Sequence, residues 1–168
     1  VCSDGNRPTN GFTFDAWINI SAYGASTANE YWQSAIISKG NVYFNFGVRH
    51  NGYLKLYYYT GTVHYVLANT TVLGTDRWRH VAVTVADSGM GVALYVDGEA
   101  ETLSGGTTSN YANLHGTAVT QAAEIGTADY SQGSTNNFNG YISILRQYDR
   151  GLLASEIKHN FNAQRHRF

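Results

Sequence analysis

Cysteine is almost missing from this chain. Cys2 stands alone among 168 residues, so no internal disulfide can form and packing has to hold the fold. Cys2 is left with two fates, a free thiol in a loose terminus or a bridge to another chain. Proline is equally scarce: one residue, against 18 glycines. Charge is thin too, at 14% of residues with a net of −1. A nucleic-acid surface needs a strongly basic face, so no nucleic-acid partner is expected. No apolar run reaches the roughly 18 residues of a spanning helix, so no membrane insertion is expected. A chain that opens on Val1 is expected to be a processed or truncated product.

What is present suits a β protein. Hydrophobic residues make up 43% of the chain, and 13 are tyrosine. The length fits one domain. The stretch from Asp76 to Gly98 organises the rest. Val81, Val83 and Val85 alternate with His80, Ala82 and Thr84; after a Ser88–Gly91 turn, Val92, Leu94 and Val96 alternate with Ala93, Tyr95 and Asp97. Period-two alternation puts each set on one face. A lone hairpin is marginal in water, so the valine face demands a second apolar layer.

Two motifs in this hairpin carry a family resemblance. Trp78-Arg79-His80-Val81-Ala82-Val83-Thr84 and Leu94-Tyr95-Val96-Asp97-Gly98 resemble the paired W-x-H-V-A-x-T and L-Y-x-D-G strands of laminin-G-like jelly rolls, in the concanavalin A-like lectin/glucanase group. Gly11–Ile20 and the run ending Ile36-Ile37-Ser38-Lys39-Gly40 resemble that family's early strands. Phe138–Arg150 resembles its closing strand through Phe138, Gly140, Ile142, Leu145, Arg146, Tyr148 and Arg150. The resemblance implies an all-β fold: a two-sheet antiparallel β-sandwich of concanavalin A-like jelly-roll type with one short C-terminal helix. The expected organisation is an arm over residues 1–10, the jelly roll over 11–161, and a basic tail over 162–168. The tail resembles those of such domains in virion proteins of tailed phages.

Between the motifs, further strands are expected over 33–39, 42–48, 53–59, 63–67 and 118–125. The 42–48 and 53–59 pair closes across Asn51-Gly52, a hairpin-turn dipeptide. Residues 99–117 and 128–137 read as long polar loops. In the helix, Leu153, Ile157 and Phe161 are spaced to pin one side to the body. The family places serine where Leu153 stands, so the helix is expected to lack its N-cap.

No catalytic array is visible. Retaining glycosidases on this fold use an E-x-D-x-x-E strand that sets two carboxylates about 5 Å apart. Glu124 is followed by Ile125-Gly126-Thr127-Ala128-Asp129, without alternating acids. No G-x-S-x-G, H-E-x-x-H or P-loop pattern occurs, and no two histidines stand four apart. The protein is therefore expected not to be an enzyme. The resemblance raises Ca²⁺ as a cofactor, because many relatives hold it at the sandwich rim. The family's acid pair in the last strand is replaced here by Ser143 and Ile144. Asp97, Glu99 and Glu101 form the alternative candidate metal cluster; solvated acids beside a turn are the plainer account.

The tyrosines carry the binding expectation. Tyr43, Tyr57 and Tyr59, with Tyr53, fall on the non-core face of their hairpin, and Tyr95 on the non-core face of the central one. Asn45, Lys55 and His80 are expected near them. Flat amphipathic rings beside amide and charged donors suit a sugar or a protein contact; cross-strand pairing that steadies the sheet, and packing for His80, are the alternatives. Charge is also uneven. Between Arg79 and Arg146 there is no Lys or Arg, while five follow from Arg146 onward. One end is thus expected to be acidic and the other basic, a polarity suited to stacking on partners. Two sequons, at Asn19 and Asn69, matter only in a glycosylating host. The expected function is a non-catalytic, lectin-like recognition or adhesion module on a virion surface or extracellular assembly. It would bind glycan through exposed tyrosines or rim loops. The alternative is a capsid-decoration or fibre protein that acts by protein contacts, with a virion or surface protein as partner. Assembly as a homo-oligomer is compatible with either.

Overall fold

Alternation along nearly every segment sorts the strands into two layers. A computed structural model describes residues 11–24, 34–39, 44–59, 63–86, 91–104, 123–128 and 137–168. In chain order the strands are β1 (Phe12–Ile20), β2 (Ala35–Lys39), β3 (Phe44–Val48), β4 (Leu54–Tyr59), β5 (Val63–Ala68), β6 (Trp78–Val85), β7 (Val92–Val96), β8 (Glu99–Ala100), β9 (Leu103–Ser104), β10 (Ala123–Ile125) and β11 (Gly140–Tyr148). Helix α1 (Ala154–Gln164) follows. Sheet A runs β11-β1-β6-β7-β8 and sheet B runs β10-β2-β3-β4-β5-β9. The expected two-sheet antiparallel sandwich with a C-terminal helix is the architecture found. Residues 1–10 with Cys2, the 87–90 turn, and most of the two polar loops lie outside the described residues.

The two inner faces make one core. Phe12, Phe14, Ala16 and Ile18 of β1 and the three valines of β6 meet Phe44, Phe46, Leu54 and Leu56 of sheet B. In the central hairpin Val81 stands opposite Val96, and Val83 opposite Leu94. The stretch expected as a loop from residue 99 contains β8 and β9. Asp97 and Gly98, both at positive φ (52° and 79°), return the chain so that Glu99 pairs with Val96. That is the two-residue turn that matches strand twist.

An irregularity in β11 decides what its side chains meet. Asp15 pairs with Arg146, but Trp17 pairs with Ser143, so Ile144 and Leu145 together face Ala16. Ile144 adopts φ 51°, a conformation costly for a branched side chain. The bulge resets the alternation. Ile142 and Leu145, three apart, both pack on the core, and Arg146 turns outward beside Asp15.

Helix α1 covers the outward face of sheet A. Asp15 is fully buried there. It accepts hydrogen bonds from Arg146 Nε (2.7 Å) and Nη2 (3.1 Å) and from Asn160 Nδ2 (2.8 Å). Trp17 donates to Gln164 Oε1 at 3.0 Å and stacks on Phe161 and Phe168. The segment 162–168 therefore continues the helix and ends on Trp17, with Arg165 and Arg167 exposed. Leu153 supplies no side-chain cap, as expected. Glu156 reaches back to accept the Leu153 N–H at 2.9 Å and grips Arg150 with both oxygens. The Arg150 hydrogen bonds first, and the Leu153 N–H second, hold the Glu156 carboxyl down at about 2.

His80 lies beneath this helix with no exposed surface, its Nε2 3.9 Å from Asp15. Neither ring nitrogen has a hydrogen-bond partner. Burial pushes its pKa down to about 4; Asp15 and Asp97 pull upward against it, and Arg146 pushes it down.

Two outcomes follow. Gly140 pairs with Ile20, and a Cβ there would sit 2.1 Å from the Asn19 carbonyl oxygen. Gly140→Ala should lower the unfolding free energy by roughly 2 kcal/mol or more in urea titration. The depressed His80 pKa means that the unfolded chain binds a proton that the folded chain refuses. Stability is complete above pH 6.5 and falls as pH drops from 6.5 to about 4. That loss amounts to roughly 3 kcal/mol. Thermal unfolding across this range should show the slope in the native protein and a flatter one in His80→Gln.

Candidate functional site

The outward face of sheet B carries a row of polar and aromatic side chains in direct cross-strand register. Glu124 on β10 pairs with Ser38, Ser38 with Asn45, Asn45 with Tyr57, and Tyr57 with Tyr65. Beside it run Gly47, Lys55 and Leu67. These positions alternate with the core set, so they point away from the sandwich interior. Gly47 leaves the face flat at that point: a Cβ would meet the Ser34 carbonyl at 2.5 Å.

Exposure differs from expectation. Asn45, Lys55 and Tyr57 stand together, as the alternation required, but all are buried, at 0%, 1% and 2% exposure. Tyr59 is half-buried, as are Tyr53, Tyr65 and Glu124, and Tyr43 lies outside the described residues. Alternation names the face a side chain takes; it does not say what covers that face. Asn45, Lys55, Tyr57, Tyr59, Tyr65 and Glu124 are all engaged in contacts within the protein. Ser38 donates to the Thr127 carbonyl at 2.8 Å, tying the end of β10 to the row.

His80 and Tyr95 are not neighbours of these tyrosines. They sit on β6 and β7 of sheet A, so the whole core lies between the two groups. Tyr95 packs with Ala82, Leu152 and Ile157 under α1. His80 meets Trp17 and Phe161 at ring-centroid distances of 5.5 and 6.0 Å. For these two residues, helix packing replaces the ligand contact expected of them.

The acids of the candidate calcium site do not converge. Asp97 pairs with Arg79 and accepts the His80 N–H at 3.1 Å. Glu99 is exposed and pairs with Lys158 of the helix. Glu101 is buried and accepts the N–H groups of Thr70 (3.2 Å) and Thr71 (2.8 Å), anchoring the turn after β5. Among the described residues no three potential ligands gather. Calcium asks for six to eight oxygens around one point. Three acids that each serve a separate structural bond do not fit it. The charge polarity is likewise reduced: Arg146, Arg150 and Lys158 pair with Asp15, Glu156 and Glu99.

Tyr65 and Glu124 extend the row beyond the residues expected from sequence. The alternation of Val63-His64-Tyr65-Val66-Leu67-Ala68 was the available signal for Tyr65: Val66 and Ala68 are in the core, so Tyr65 must face out. Glu124 needed the pairing of β10 with β2, which no local pattern announces. Chemically, the row offers amide, hydroxyl, carboxylate and phenol groups on a rigid sheet. The cross-strand neighbour of Glu124 is Ser38, not a second acid.

No curated protein matches the chain in sequence. Solved structures do match in fold. The CBM40 module of a Ruminococcus gnavus IT-sialidase, bound to α2,3-sialyllactose, superposes with a TM-score of 0.68 at 13% identity, covering 90% of this chain and 83% of that one. Trypanosoma rangeli sialidase in complex with 2,3-difluoro-KDN gives 0.63 at 22% identity. It matches 94% of this chain, which spans only 23% of the sialidase chain. The binding domain of Botulinum neurotoxin DC, in complex with rat synaptotagmin II, gives 0.64 at 16% identity over 94% of this chain and 37% of its own. The laminin-G-type family description matches residues 2–158, and the chain belongs to the Concanavalin A-like lectin/glucanases superfamily.

Proposed function

We propose that the protein is a non-catalytic, lectin-like recognition module that takes glycan on the outward face of sheet B. The observation that carries this is the in-register row from Glu124 through Ser38, Asn45 and Tyr57 to Tyr65. Sugars are held by hydroxyl-bonding groups beside flat rings that cover their C–H faces. In this proposal the buried Asn45, Lys55 and Tyr57 are positioning residues, and the half-buried Tyr59 and Tyr65 make the contact. A sheet holds such groups more rigidly than a loop does. The fold likeness to a module bound to α2,3-sialyllactose, matched along most of both chains, supports the ligand class. Glu124 faces Ser38 across the strands and not a second acid, which supports a non-catalytic role. An extracellular or virion surface is the setting proposed with it, because glycans are met there.

Tyr59→Ala and Tyr65→Ala should each weaken glycan binding about tenfold on a diverse glycan array, near 1.4 kcal/mol. The circular dichroism spectrum should be unchanged. Silence of the native protein across the array, or equal binding by the double variant, overturns the proposal. Silence together with a stable oligomer or a captured surface protein would favour docking by protein contacts instead.

A further inference from the structure

The uncovered end of sheet A carries a second arrangement that the sheet B proposal does not use. Tyr141 on β11 pairs with Asn19 on β1, and Asn19 pairs with Trp78 on β6. All three point away from the core, because Ile18, Ile20 and Ile142 beside them point into it. An amide thus stands between two aromatic rings on adjacent strands. By ordinary strand spacing the rings' backbones are about 10 Å apart. Helix α1 ends at Gln164, beside Trp17 of β1, and Phe168 beyond it reaches the Trp78 end of the row, away from Tyr141. Tyr141 is 66% exposed, and Asn19 and Trp78 are half-buried.

The row is held firmly. Gly140 lets β11 approach β1 so closely that a Cβ would strike the Asn19 carbonyl at 2.1 Å. Beyond it Ser21 N–H donates to the Asn139 carbonyl at 2.9 Å, and Asp76 N–H to the Ile20 carbonyl at 2.8 Å. All three strands are therefore pinned at this rim. Phe168 packs against Trp78 at 4.9 Å between centroids and supports its ring from the helix side.

The geometry points to a second saccharide subsite at Tyr141, Asn19 and Trp78, on the opposite side of the sandwich from the sheet B row. The occupant is a neutral hexopyranose unit. The Tyr141 ring covers a C–H face of the sugar. The Asn19 amide donates to one hydroxyl and accepts from another. Trp78 closes the far side. The row itself holds no charged side chain, which favours a neutral sugar over a sugar acid; of the two arginines that flank Trp78, Arg79 is paired with Asp97 and Arg77 donates to the Leu73 and Val72 carbonyls. A single exposed ring without a groove gives weak binding on its own; it adds reach to a glycan held elsewhere.

The test uses the full chain made in bacteria, so that the Asn19 sequon stays unmodified. It is titrated with methyl β-glucoside, methyl β-galactoside, methyl α-mannoside and N-acetylglucosamine, each into the millimolar range. Nitrogen–proton NMR follows the Asn19 side-chain amide and the Trp78 indole N–H. At least one sugar should move both signals saturably. Tyr141→Ala should weaken that response about tenfold or more, and Asn19→Ala should do the same at the Trp78 signal. Tyr65→Ala, on sheet B, should leave it unchanged, which separates this subsite from the proposed sheet B face. If no sugar moves the two signals, or if Tyr141→Ala responds like the native chain, the inference is overturned.

Discussion

A carboxylate with no exposed surface must find its partners inside the protein, and Asp15 is that group. Leaving it unpaired would cost several kcal/mol. Arg146 supplies two hydrogen bonds and Asn160 a third, the first from the last strand and the second from the helix. One residue of β1 therefore dictates where both elements sit. The bulge at Ile144 and Leu145 follows from the same need. Without the extra residue, Arg146 would share a face with Ile142 and point into the core. The unfavourable Ile144 conformation is the cost of turning a cation outward toward Asp15. His80, next to this group but bonded to none of it, stays neutral because burial disfavours the charged ring.

The two outward faces of the sandwich are thus put to different uses. Sheet A is covered along most of its length by the chain's own helix, with Trp17 against Phe161 and Phe168. At one rim Tyr141 emerges. Sheet B instead carries a continuous polar row, part buried and part open. The hairpin expected to join the two tyrosine sets does not: β6 and β7 pair with β1, which keeps Tyr95 and His80 on the helix side.

Much of the fold was legible because the alternation is nearly unbroken. Val81 to Val85, Phe12 to Ile20 and Phe44 to Val48 each declare an inner face, and two inner faces need each other. The closing strand was recognisable from its resemblance to the family's last strand, but the bulge was not; isoleucine is the last residue to suggest a left-handed turn. β8 follows from the Asp97-Gly98 turn pair, although the polar composition after it reads as a loop. The candidate site was legible only as a choice of face. Asn45, Lys55 and Tyr57 do share a side, yet their burial depends on what crosses over them, which local pattern does not encode. The acids misled for a related reason. Asp97, Glu99 and Glu101 are close in sequence, but a tight turn sends them to Arg79, Lys158 and the Thr70–Thr71 backbone in three directions.

The pairing of β1 with β11 has a consequence for biosynthesis. Asp15 and Arg146 are 131 residues apart, and Asp15 and Asn160 farther still. At ordinary translation speeds β1 waits on the order of ten seconds for the strand that completes it. Throughout that interval the nascent chain presents Phe12, Phe14 and Ile18 with no lasting neighbour on one side. The cluster around Asp15 can close only after Arg146 and Asn160 have both been made. Until then that side of β1 is an open strand edge, a surface that another chain's strand can pair with.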